Sequence, residues 1–167
     1  MNHRHHDAIS FQLLLSELEA DIAVLEDLLD KNRLLTRKIE AIEPDEFDWA
    51  ALGFTIHNIY NLIENYFLRI AKFFENNITK DAWHRNLIDR MALDIPGFRP
   101  ALLEKGDLAV FHELRSFRHV FRNIYQGQLN EERLEKVNQS VPETVSLLRT
   151  AHTRFVTKLK IIAAELP

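Results

Sequence analysis

From Asp7 to Glu40 the chain meets neither a glycine nor a proline. Ile9, Leu13, Leu14, Leu18, Ile22, Leu25, Leu29 and Ile39 recur there at three- and four-residue steps, with acids and bases between them. That period puts the apolar side chains on one face of a helix, so one long helix is predicted. The rest of the chain is almost as sparing: four glycines and five prolines in 167 residues. A sandwich or barrel would need a turn signal about every ten residues. Long helices are the remaining solution.

Glu43-Pro44-Asp45 marks the first break, because a proline pushes its predecessor out of the helical region. A second long helix is expected from about Asp48 to Asn76. It carries Trp49, Leu52, Ile56, Ile59, Tyr60, Ile63, Tyr66, Phe67, Ile70, Phe73 and Phe74, enough large residues to be buried on more than one side. Asn76 to Lys80 reads as a turn and Trp83 to Leu93 as a shorter helix. Ile95-Pro96-Gly97-Phe98-Arg99-Pro100 and Lys105-Gly106-Asp107 are breakers, with Asp107 placed to cap a fourth helix over Leu108–Gln126. Gly127 is its expected stop. Glu131–Asn138 is expected as a short helix. Pro142 then fits the first turn of a final helix over Glu143–Glu165. The fold class is all-α: an up-and-down bundle of four to five helices, two of them very long. No repeat or linker divides it, so residues 1–167 are expected to form a single domain.

Several function classes are excluded. With no cysteine, a disulfide framework or a Cys-based zinc site is impossible. That composition fits a cytoplasmic protein. The polar start, Met1 to His6, lacks a cleavage site of the secretory type. No run of about 18 apolar residues predicts a membrane span. A net charge of −4 means that nucleic acid would have to be met by a local cluster of positive charge. No Gly-rich phosphate loop, HExxH motif or carboxylate cluster implies a metal or cofactor.

One such cluster exists. Arg115-Ser116-Phe117-Arg118-His119-Val120-Phe121-Arg122-Asn123-Ile124-Tyr125 sets three arginines, a histidine, an asparagine and a tyrosine at helical spacing. With Arg118 at zero, ideal geometry puts Arg122 near ~40°, Arg115 near ~60°, His119 near ~100°, His112 near ~120° and Asn123 near ~140°. Val110, Leu114, Phe117, Phe121 and Ile124 take the other side, and Tyr125 lies at the edge beside Arg118. No carboxylate interrupts the cationic face, and its arginines repel unless something anionic covers them. Guanidinium forks fit phosphate oxygens, but carboxylates from neighbouring helices would serve equally. Glu64 and Glu75 on the second helix are available for that structural role.

The residues that carry chemistry also carry a resemblance. Ala51-Leu52-Gly53-Phe54-Thr55-Ile56-His57-Asn58-Ile59-Tyr60-Asn61, then Trp83-His84-Arg85-Asn86-Leu87 with Ile95 to Pro100, then Arg118 to Tyr125, follow the order of three segments in the HepT-like toxins of the HEPN superfamily. The chain resembles that family from about Ala51 onward. The resemblance implies a HEPN-like homodimer with both motifs along one cleft. It further implies metal-independent RNA cleavage and a cognate nucleotidyltransferase antitoxin, which can transfer AMP to the motif tyrosine. On this mapping Arg118 is the motif arginine, His119 the polar residue after it, Asn123 stands at the motif histidine and Tyr125 at the tyrosine open to modification. Arg115 and Arg122 would follow the RNA backbone.

The departure at Asn123 bears on chemistry. Attack of a ribose 2′-hydroxyl on the adjacent phosphorus needs proton transfer, which histidine supplies near neutral pH, and charge stabilisation, which arginine supplies. Asparagine can hold a phosphate but exchanges no proton. Three readings follow: a natural impaired member, a variant made inactive, or a chain in which His119 takes over. Alternatives to the toxin reading are a non-catalytic helical module that binds a nucleotidyltransferase and a plain structural dimer. Other candidates have ordinary explanations. His57 and Tyr60 could line a cleft or pack a core, and His84 and Arg85 suit a surface. Trp83 suits an anchor, and His3, His5 and His6 suit a terminus.

Overall fold

A computed structural model of the chain describes residues 7–75, 83–122 and 130–165, apart from the side chains at 83–85, 119, 120 and 122. Five α-helices account for most of it: α1 (Ala8–Ala41), α2 (Glu46–Phe74), α3 (Trp83–Met91), α4 (Leu108–Arg122) and α5 (Glu131–Ala164). Among the described residues there is no strand, and an isolated bridge joins Ile95 to Arg99. The all-α expectation holds. Asn76 to Lys80, Gly127 and the end expected for the fourth helix lie outside the described residues.

Local chemistry sets the first two helix starts. Asp7 caps α1 by accepting from the Ser10 amide at 2.8 Å. Asp45 caps α2 in a reciprocal box: its carboxylate accepts from Asp48 N, and Asp48 accepts from Asp45 N. Pro44 thus separates two helices whose starts are both capped by an aspartate. Lys38 of α1 meets Asp48 of α2 at 2.5 Å across the turn, which holds the Asp48 carboxyl below the usual range.

Contacts fix the directions. Phe11 at the start of α1 packs edge-on against Phe73 and Phe74 at the end of α2, so these helices are antiparallel. Phe111 touches Phe67 while Arg118 reaches Asn61, so α4 runs against α2. Arg149 pairs with Glu26, and Asn138 bonds Asn32, so α5 runs against α1. α1, α2, α4 and α5 therefore form an up-and-down bundle. α3 lies beside α2 and α4, tied by Arg90–Glu75 and by His112–Asp89 at 2.9 Å.

Three expectations are corrected. Ile9 and Leu13 are exposed (74% and 62%), because Phe11, Leu14 and Leu18 take the inward face of α1. The final element is one helix of 34 residues, with Pro142 inside it. An interior proline forfeits an amide hydrogen bond and costs about 3 kcal/mol. Here Val137, Val141, Thr144, Val145 and Leu148 are buried on both sides of it, and tertiary packing of that face outweighs the local loss. Asn130 is the true cap, accepting from Arg133 N at 2.9 Å. Asp107, expected as a cap, instead closes a 3-10 turn (Lys105–Asp107) that runs straight into α4.

α2 sits at the centre of the core. Ile56, Ile59 and Ile70 are fully buried, with Leu52, Ile63, Tyr66 and Phe67 nearly so. Among the described residues no helix is long and apolar enough to cross a membrane.

Candidate functional site

Gly53, His57, Asn61 and Glu64 follow one another on α2 at steps of four, four and three, so they form one stripe. That stripe faces α4. Phe111, Leu114 and Phe117 anchor α4 in the core, each at most 2% exposed. Arg118 follows directly after Phe117 and reaches the polar end of the stripe.

Its guanidinium is held at several points. Nε donates to Asn61 Oδ1 at 3.0 Å. Nη2 lies 3.3 Å from Glu64 Oε2, and the guanidinium carbon sits 5.8 Å over the Tyr60 ring. The Glu64 side chain is 9% exposed and that of Arg118 23%. The two polar contacts use Nε and Nη2, the side edge of the fork. Among the described residues, the end edge at Nη1 carries no hydrogen bond. Arg118 is thus charged, oriented and open at one edge.

Neighbouring groups complete the electrostatics. Burial, then the Glu64 carboxylate, pushes the Tyr60 hydroxyl far above its ordinary value against the opposing pull of Arg118 and Arg115. Tyr60 therefore stays neutral. Asn61 also meets His57 Nε2 at 2.9 Å, and the His57 ring lies 5.2 Å from that of Phe121. Phe121 approaches where α2 carries glycine: a Cβ on Gly53 would meet Phe121 Cε2 at 2.6 Å.

The sequence-derived candidates divide accordingly. Arg118 stands on the seam, and Arg115 is on the same helix and close enough to act on Tyr60. His119 and Arg122 lie on α4, but their side chains are outside the described residues. Asn123 and Tyr125 lie wholly outside them, as do His3, His5 and His6. His112, placed by spacing on the cationic face, is taken by Asp89 of α3. Glu64 plays the expected pairing role. Among the described residues Glu75 pairs not with α4 but with Arg90 and, at 3.4 Å, the buried Arg99. Burial lowers the Arg99 pKa, and the Glu75 carboxylate opposes that shift. Asn61 was not singled out by sequence reasoning. Its signal was a His and an Asn four residues apart, with a glycine one turn earlier. Among the described residues no group of histidines and carboxylates has the arrangement to hold a metal ion.

A family model described as HepT-like protein matches residues 51–159. The match contains both sides of the α2–α4 seam and leaves α1 outside. No curated protein and no solved structure matches the chain.

Proposed function

This chain belongs to the HepT-like protein family, and from that premise we propose that it is the toxin-side subunit of a HEPN-type toxin–antitoxin module. Its fold is that of a metal-independent endoribonuclease, its catalytic step is impaired at Asn123, and its partner is a nucleotidyltransferase antitoxin. Residues 1–167 act as one helical domain that pairs with a second copy. In this reading Arg118 binds the scissile phosphate, and Arg115 and Arg122 follow the backbone. Tyr125 is the hydroxyl that the antitoxin would modify.

The observation that supports this most is the state of Arg118. An arginine that serves packing alone spends its donors inside the protein. Arg118 is fixed along one edge by α2 and, among the described residues, has its other edge open to a bidentate acceptor such as phosphate. In the reaction, the 2′-oxygen bonds to phosphorus and the bond to the 5′-oxygen breaks. A base takes the 2′-hydroxyl proton and an acid returns one to the leaving oxygen. Arg118 stabilises charge on the phosphorane. Asn123 can hold an oxygen but performs neither proton transfer.

Asn123→His should raise RNA cleavage roughly 10²–10⁴-fold, the usual contribution of general acid–base catalysis. Arg118→Ala should remove that gain. Full cleavage by the present sequence, with nothing added by the reversion, contradicts the reading. A second reading is favoured by the Arg118–Glu64 pair, which already neutralises one arginine: a non-catalytic module that docks a nucleotidyltransferase. On that view Arg118→Ala weakens partner binding, and the protein binds no RNA at low salt.

A further inference from the structure

We propose that Asn61 is a positioning residue that aims the Arg118 guanidinium, and that His57 fixes the direction of the Asn61 amide. The role assigned to Arg118 rests on the preceding reading; the geometry of the relay does not. Arginine can only donate, so the Asn61 oxygen must face Nε, 3.0 Å away. The Asn61 NH2 then faces His57 Nε2 at 2.9 Å. An NH2 group also only donates, so Nε2 must offer its lone pair. The lone pair at His57 Nε2 is an assignment set by this network.

The relay closes on itself. His57 packs against Phe121, which stands on α4 three residues after Arg118. Gly53 leaves the space that Phe121 occupies. Two helices are thus joined by a ring of contacts: Arg118 to Asn61, Asn61 to His57, His57 to Phe121, and back along α4. Such a ring holds the long arginine side chain in one conformation before ligand arrives, which removes an ordering cost from binding. A neutral amide suits the task. It orients the guanidinium without cancelling its charge, whereas Glu64 does both.

The test reads Arg118 directly. In the intact protein the 15N-resolved Nε–H signal of Arg118 should exchange slowly with solvent. Asn61→Leu and Asn61→Ala should each speed that exchange about tenfold or more, the scale of losing one hydrogen bond to a charged group. His57→Leu should speed it less. In the Asn123→His protein, Asn61→Leu should lower kcat about tenfold with KM little changed, again the scale of one such bond. In an Arg118→Lys background, which has no Nε–H, the same change should cost nothing further. Unchanged Nε–H exchange in both Asn61 variants overturns the positioning role, and so does an equal kcat loss in the lysine background. If Asn123→His protein cuts no RNA, the ribonuclease reading fails while the exchange measurement still decides the relay.

Discussion

α2 takes part in two polar networks that end differently. On the face toward α1 and α5, Thr55 joins Asn32, Thr36 and Asn138. Asn32 donates to Thr55 at 3.1 Å and to Asn138 at 2.8 Å, and Asn138 donates to Thr36 at 2.9 Å. The two threonine hydroxyls donate to the carbonyls of Asn32 and Leu52. Both amide protons of Asn32 and both hydroxyl protons are used internally. On the face toward α4, Asn61 and Glu64 hold only the side edge of Arg118. The first network is a knot that fixes the register of three helices. The second presents a charge. A buried polar cluster with its donors spent argues for structure, and one with an oriented donor edge to spare argues for a ligand.

The largest expected effect breaks the knot. Asn138→Leu leaves one Asn32 amide proton without its acceptor, removes the donor to Thr36, and should cost roughly 2–3 kcal/mol in urea unfolding. The folded variant should bind RNA as before; a neutral result would remove the knot from the account. Next comes Glu64→Gln, which leaves Arg118 less compensated. Stability should fall by roughly 1–2 kcal/mol, while affinity for RNA at low salt rises because a carboxylate has gone. Loss of both together would blur the distinction between the two networks.

Gly53→Ala probes the seam by shape. The new Cβ forces Phe121 aside, and the strain should exceed the helix-propensity gain by about 1 kcal/mol. Gly106→Ala, with open space at its Cβ, should change the melting curve far less. The smallest effect is a pH dependence on the α1–α2–α5 side. His152 accepts from or donates to Tyr66 at 2.9 Å and lies 3.7 Å from Glu19. Burial lowers its pKa, against the pull of Glu19. The unfolded chain then binds the proton more readily, so this contribution is complete above about pH 6.5 and is lost as pH falls through the lower folded value. His152→Gln should flatten the stability profile in that window.

Much of the bundle is legible in the sequence because its signals are local. Asp7 and Asp45 cap, Pro44 breaks, and the run from Trp49 to Phe74 is apolar on several faces. Pro142 misleads for the opposite reason: α5 persists through it by burying valines and Leu148 against helices distant in sequence. Ile9 and Leu13 mislead because periodicity identifies an apolar stripe without its width. At the site, the cationic spacing marks Arg118 and Arg115, and Glu64 was a foreseeable partner. Asn61 was not, since its importance comes from facing Arg118, 57 positions away.

The central claim is that the α2–α4 seam presents Arg118 to a phosphate backbone. RNA affinity measured across a salt series tests it most directly. The account predicts a steep fall of log K with log salt, and a slope shallower by about one for Arg118→Gln. Absence of binding at low salt, or a slope unchanged by Arg118→Gln, would contradict it.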